Sequence, residues 1–167
     1  MIAYLTRRYR FSASHRLHNA AMSTPENESL YGKCNSPYGH GHNYALEVTV
    51  AGPIEPATGM VYDLVAMDAI VEREVLEPFD TSYVNLDVDA FRSQVPTTEN
   101  VCIEIFNRLR GPIGSTGSAG PVAPVDPISH ASKLAGTGKE RNGHSQAYLA
   151  RVRLEETSSN FFEYEGG

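Results

Sequence analysis

The sequence predicts an α+β domain in which a four-stranded antiparallel sheet carries two helices on one face. Two stretches of alternating residues lie near the N-terminus, and two more form a hairpin at the C-terminus. Two segments between them carry apolar residues at helical spacing. The order strand, strand, helix, helix, strand, strand is typical of an antiparallel sheet that is covered on one side.

The two N-terminal strands are predicted at residues 3–17 and 43–52, because side chains that alternate in character occupy opposite faces of a strand. One face of the first strand consists of Tyr9, Phe11, Ala13 and His15. The apolar face of the second strand consists of Tyr44, Leu46, Val48 and Val50. Pro and Gly residues at 53–60 then indicate a turn.

The first helix is predicted from Asp63 to Val75. Its apolar residues recur at helical spacing, and Asp63 is a suitable N-cap. A proline interrupts the hydrogen bonding of a helix interior, so the helix is expected to end before Pro78.

The second helix is predicted within residues 96–111, with Thr97 or Thr98 as its cap and Gly111 as its end. Its apolar stripe consists of Val101, Ile105 and Leu109. Cys102 lies beside this stripe, which favours a buried structural thiol.

The C-terminal part of the chain begins with a Gly/Pro-rich stretch at 111–146 that has no sustained periodicity, and we interpret it as a surface loop inserted into a single domain of residues 1–167. Two strands follow at 147–156 and 160–165 and form a hairpin.

The composition is that of an ordinary globular protein, with 41% hydrophobic and 20% charged residues. A net charge of -6 argues against a nucleic-acid or membrane-surface role. Two cysteines are too few for a disulfide framework, and no segment has the length of a signal or membrane-spanning sequence, so a cytoplasmic location is expected. The densest positive group, which could bind a small anion, is Arg7, Arg8, Arg10 and Arg16.

A metal site is predicted where the two N-terminal strands approach each other. His40 and His42 are two residues apart, so on a strand they project to the same side at roughly 6–7 Å. His15 ends the neighbouring strand on its apolar face. Three imidazoles with an open fourth position are typical of catalytic zinc, whereas the alternative is that each histidine is an ordinary packed residue. Gly41 would let another backbone approach.

Cys34 precedes this pair of histidines by a few residues. It could be a fourth metal ligand, a nearby base, or a structural thiol in a turn. Local spacing alone leaves all three interpretations open.

Four motifs in order make the chain resemble 6-pyruvoyltetrahydropterin synthase and its relatives. They are "FSASHRL", "YGKCNSPYGHGHNY", "TGMVYDL" and "PTTEN". The resemblance covers residues 9–109 and 148–165. It implies the T-fold, in which trimers close their sheets into a barrel, two trimers stack into a homohexamer, and active sites lie between subunits.

The resemblance also implies roles for individual residues. His15, His40 and His42 match the zinc ligands, and Cys34 matches the catalytic thiol, which acts as a general base. Glu156 matches the carboxylate that anchors the pterin, and two donors aimed at two carboxylate oxygens give a physical reason for it. Thr97, Thr98 and Glu99 match residues of the pterin pocket.

One position departs from the family pattern. The family usually has Asp-His as a proton relay after the first helix, and here Asp80 is followed by Thr81. A threonine hydroxyl does not titrate near neutral pH, whereas an imidazole does. The proton relay would then depend on Asp80 acting through water, or on His130 or His144 from the loop.

The implied reaction converts 7,8-dihydroneopterin triphosphate to 6-pyruvoyltetrahydropterin by eliminating triphosphate, with internal hydrogen movement and no external redox cofactor. The five residues between Cys34 and His40 resemble the biopterin-pathway synthases. The alternatives are a 6-carboxytetrahydropterin synthase of queuosine biosynthesis, acting on the same triphosphate, and a T-fold protein that binds a pterin with little turnover.

Overall fold

The structure, a computed structural model, describes residues 1–114 and 146–166, so most of the predicted loop, with His130 and His144, lies outside the described residues. The strands are β1 (Ile2–His15), β2 (His40–Pro53), β3 (Ser82–Tyr83), β4 (Tyr148–Thr157) and β5 (Asn160–Tyr164). The α-helices are α1 (Thr24–Tyr31), α2 (Leu64–Val71), α3 (Glu77–Phe79), α4 (Val84–Asp87) and α5 (Thr98–Ile113). A π-helical turn covers Glu72–Leu76, and 3₁₀ turns cover Gly32–Asn35 and Asp89–Arg92.

The strands form one open sheet in the order β3-β1-β2-β4-β5. The four long strands pair antiparallel, as the sequence predicted. The sheet as a whole is mixed, however, because β3 adds a parallel pairing to the edge of β1. The prediction of a four-stranded, purely antiparallel sheet was therefore wrong in this respect. A two-residue strand carries no periodicity, and its partner is set by where the preceding helix ends.

The core lies between one face of the sheet and the helices α2 and α5, which confirms the α+β class. Phe11, Leu46 and Val48 are at most 3% exposed, because alternation directs every second strand residue to that face. Helix α5 packs on β4 and β5 with Val101, Ile105 and Leu109 buried. No helix in the described ranges is long and apolar enough to cross a membrane.

Cys102 is fully buried in this core, as predicted. Its thiol contacts the carbonyl oxygen of Val152 at 3.5 Å, and burial raises the pKa of the thiol to about 12. A group that stays protonated and shielded from solvent is a packing residue rather than a nucleophile.

The first predicted helix begins as expected and ends later. The Asp63 carboxylate accepts the N–H of Val65 at 2.9 Å, which confirms the cap. The expected end before Pro78 was wrong, since a π turn leads into α3 with Pro78 in its first turn. Proline is tolerated there because a first-turn N–H has no partner within the helix. Phe79, fully buried one residue later, stabilises the extension.

The second helix also runs past its predicted end. The Thr97 side chain caps α5 by accepting the N–H of Asn100 at 3.4 Å. Gly111 does not stop the helix, which continues until Gly114, with a φ of 112°. Ile113 is only 2% exposed, and its burial favours the last turn.

Helix α1 was not predicted, because it lacks an apolar stripe. Its signal was a capping box, in which the backbone N–H of Ser23 donates to the Glu26 carboxylate at 2.7 Å. Gly32 ends the helix with positive φ, and the 3₁₀ turn that follows carries Cys34.

Candidate active site

Three histidines converge where β1 ends and β2 begins. His15 and His40 are direct cross-strand partners, and His42 lies two residues further along the same face. The ring centroids are 4.6, 4.8 and 5.2 Å apart. One ligand nitrogen from each ring lies within 4.8 Å of the others. The antiparallel register thus brings together the three residues that the sequence singled out.

The donor set fits a metal ion. The Nδ1–H of His15 donates to the Pro96 carbonyl at 2.8 Å, so the Nε2 of this neutral ring carries a lone pair. That Nε2 lies 3.2 Å from Nε2 of His40, close to the separation of about 3.3 Å between two nitrogens at tetrahedral zinc. The Nε2 of His42 is buried without a hydrogen-bond partner among the described residues. A metal ion could satisfy these converging nitrogens.

Burial favours the metal-binding form of His15 and His40. Desolvation is the main cause that lowers the pKa of each of these two rings, and the neighbouring imidazoles lower both further. A neutral imidazole has the lone pair that a metal ion needs, so the lowered pKa favours metal binding.

The backbone at this corner depends on Gly39 rather than on Gly41. Gly39 has a φ of 70°, and a Cβ there would lie 2.9 Å from the ring of Tyr83 and 3.0 Å from the carbonyl oxygen of His15. A Cβ on Gly41 would meet its nearest atom at 3.6 Å, an ordinary contact. The expectation that Gly41 permits a close backbone approach was therefore wrong. Gly39 provides the tight turn that delivers His40 opposite His15.

Glu156 lies beside the histidine cluster. Its Oε1 is 3.5 Å from Nε2 of both His15 and His42, longer than a hydrogen bond. Tyr44 lies close to the same carboxylate, and burial, with this negative neighbour, raises the pKa of Tyr44. The side-chain amide of Asn160 donates to the other oxygen, Oε2, at 3.1 Å and helps to orient the carboxylate beside the histidines.

Cys34 sits in the 3₁₀ turn Gly32–Asn35, partly exposed. The N–H of Leu17 donates to the Cys34 carbonyl at 2.9 Å and fixes this turn to the chain just beyond β1. The side chains close enough to share one ion are the three histidines, without Cys34. The described geometry therefore disfavours Cys34 as a fourth metal ligand.

Asp80 and Thr81 lie at the edge of β1. Oδ1 of Asp80 accepts the N–H of Ser12 at 2.8 Å, and the N–H of Thr81 donates to the Ser12 carbonyl at 2.6 Å. Thr81 has a φ of 60°, an unfavourable region for a β-branched residue. Thr81 and His42 both line a cavity of about 280 Å³. The residue that departs from the family pattern therefore lies near one of the three histidines.

The "PTTEN" segment contributes to the cluster through its backbone. The Pro96 carbonyl orients His15, whereas Thr97 caps α5 and Thr98 is buried. Glu99 is exposed, and no hydrogen bond or ion pair joins it to the histidines within the described chain. Within the described chain, the contact of this segment with the histidines is therefore the Pro96 carbonyl bond to His15.

Sequence reasoning missed two supporting residues. Tyr44 shares a strand face with His40 and His42, so the period-two pattern could have indicated its place in the site. The carbonyl of Pro96 had no such signal, because it reaches His15 from a distant part of the chain.

Comparisons with known proteins agree on one family. The family model for 6-pyruvoyl tetrahydropterin synthase matches residues 4–122. The chain is 47% identical over 108 residues to the 6-pyruvoyl tetrahydrobiopterin synthase of Poecilia reticulata, which covers 65% of this chain and 74% of that protein. It is 46% identical over 114 residues to the enzyme of that name from Homo sapiens, covering 67% and 79%. A solved structure of Caenorhabditis elegans 6-pyruvoyl tetrahydropterin synthase superposes with a TM-score of 0.77 at 33% identity, covering 100% of this chain and 97% of that one.

Proposed function

The chain belongs to the 6-pyruvoyl tetrahydropterin synthase family, and we propose that it is a zinc-dependent lyase that converts 7,8-dihydroneopterin triphosphate to 6-pyruvoyltetrahydropterin. The observation that carries this proposal is the convergence of His15, His40 and His42 beside a fixed carboxylate. The family match, over residues 4–122, includes all three histidines.

The three histidines would hold the zinc. When bound, the ion would polarise the side-chain oxygens of the substrate and make the neighbouring C–H acidic. Cys34 would accept that proton as general base, since it lies outside the ligand group. Asp80, whose Oδ1 already accepts a backbone N–H from β1, would assist through water.

Glu156 would anchor the pterin. Asn160 donates to Oε2 of this carboxylate, while Oε1 faces the histidine cluster, so the carboxylate has a defined orientation. A pterin bound there would place its side chain next to the three histidines. The same contact would fix the orientation of the substrate. Such positioning supplies a substantial part of enzymatic rate enhancement.

We also propose that the active enzyme is a homohexamer with its sites at subunit interfaces. The sheet of one chain is open, with β3 and β5 at its edges, and such edges are usually covered. Glu99 is exposed, and no hydrogen bond or ion pair joins it to the histidines within the described chain, which favours a role of Glu99 in the site of a neighbour. Light scattering at micromolar concentration should give about six times the subunit mass; a monomer would contradict the proposal.

The reaction itself can be tested by incubating the zinc-loaded protein with 7,8-dihydroneopterin triphosphate. Chromatography should show 6-pyruvoyltetrahydropterin and one equivalent of inorganic triphosphate per turnover. Formation of 6-carboxytetrahydropterin would favour the second family reaction. Retained pterin without triphosphate release would identify a binding protein and contradict a lyase.

The variant Thr81→His belongs in the same experiment. Histidine tolerates positive φ better than threonine does, and it restores a group that titrates near neutral pH. The rate should therefore rise if the missing imidazole limits proton transfer. An unchanged rate would mean that Asp80, or a residue outside the described ranges, already transfers the proton.

A further inference from the structure

A second cavity is lined by residues on either side of Cys34 and by Arg16, which follows His15 in the chain. Its volume is about 620 Å³. Its polar lining contains two cations, two hydroxyl groups, one amide and one carboxylate. They belong to Arg16, Lys33, Thr24, Ser36, Asn35 and Glu28. Neither of the two cations forms an ion pair within the described chain, whereas most other arginines there do. Two unpaired positive charges facing one cavity indicate an anion site.

Arg16 is fixed in place before any ligand arrives. Its Nε donates to the Asn35 carbonyl and its Nη2 to Asn35 Oδ1, both at 3.1 Å. Since a guanidinium only donates, the atom it contacts must be the amide oxygen, which also accepts from His18 Nδ1 at 2.9 Å. Asn85 holds the Arg16 backbone from both sides at 2.8 and 2.9 Å. A pre-organised guanidinium loses little entropy when an anion binds.

The position of the cavity along the chain connects it to the reacting groups. Arg16 directly follows His15, and Lys33 directly precedes Cys34. Consecutive Cα atoms are about 3.8 Å apart, so the cavity begins one residue from a metal ligand and from the base. The two cations therefore lie close along the chain to the groups that would react.

We propose that this cavity binds the triphosphate of the substrate, an inference that rests on the proposed function. Arg16 and Lys33 would contact phosphate oxygens, with Thr24 and Ser36 as hydroxyl donors. The C–O bond that breaks leaves its electron pair on the triphosphate while the proton goes to Cys34, so the two cations would also stabilise the leaving group. Glu28 opposes the anion and limits its affinity, which favours release of the product.

The test uses inorganic triphosphate as the probe and titration calorimetry on the zinc-loaded protein. Lys33→Met removes an exposed side chain and should weaken binding about tenfold, the scale of one charge-assisted hydrogen bond. Arg16→Gln should weaken it at least as much. Glu28→Gln should instead tighten binding several-fold, because a repulsive charge disappears. The control Arg110→Gln removes an exposed cation from α5, outside the cavity, and should leave affinity unchanged.

Two results would overturn the assignment: wild-type affinity in Lys33→Met and Arg16→Gln, or an equal loss in Arg110→Gln, which would show a non-specific charge effect. The subsite and the reaction can fail separately. Binding that follows the expected pattern without turnover of 7,8-dihydroneopterin triphosphate would support the subsite and contradict the reaction. Turnover whose KM is insensitive to Lys33→Met and Arg16→Gln would support the reaction and contradict the subsite.

Discussion

Alanine in place of His40 or His42 is expected to remove zinc from the protein and abolish turnover. The proposed site has three histidine ligands on two strands, so each replacement leaves two. Mutation of residues that hydrogen-bond to metal ligands typically lowers metal affinity about 10–100-fold. Loss of a ligand itself should lower the affinity by more than about 100-fold. Zinc content by atomic emission should fall from about one per chain to a small fraction of that value.

The matched control is His18→Ala. His18 is a partly buried histidine near the same corner, and it bonds to Asn35 rather than to the cluster. Its replacement should leave zinc content unchanged. If His40→Ala and His42→Ala both retain full zinc, the three-histidine site is wrong, whatever the activity of the variants.

Replacement of Cys34 by alanine is expected to retain zinc and to reduce the rate at least about 100-fold, the lower end of the contribution of a general base. The reason is geometric, because Cys34 lies outside the group of side chains that can share the ion. Metal content and single-turnover kinetics on the same sample separate the two roles. Simultaneous loss of zinc and activity would make Cys34 a ligand.

Cys102→Ala provides the control for this experiment. Its thiol is fully buried, and its pKa is raised to about 12, so it takes no part in proton transfer at neutral pH. The variant should lose stability through the cavity it leaves, by about 1 kcal/mol for a small buried side chain. Activity per folded molecule should be unchanged, so a rate loss like that of Cys34→Ala would contradict the assignment of the base.

The four long strands, the starts of α2 and α5 and the histidine cluster could be predicted from the sequence because each depends on local patterns. Alternation places every second residue of β1 and β2 on the core face, and that face carries His15, His40 and His42 to the same corner. The Asp63 and Thr97 caps follow from short-range hydrogen bonds. The family motifs supplied the expected chemistry of Cys34.

Only the tertiary structure decided the features that depend on distant segments. β3 pairs with β1 because α3 ends beside it, and a buried Ile113 extends α5 beyond Gly111. The carbonyl of Pro96 sets the tautomer of His15 across 81 positions of the chain. Glu156 reaches the cluster from the last hairpin. Contacts of this kind leave no periodic trace, since their free energy comes from packing and hydrogen bonding between elements rather than within one.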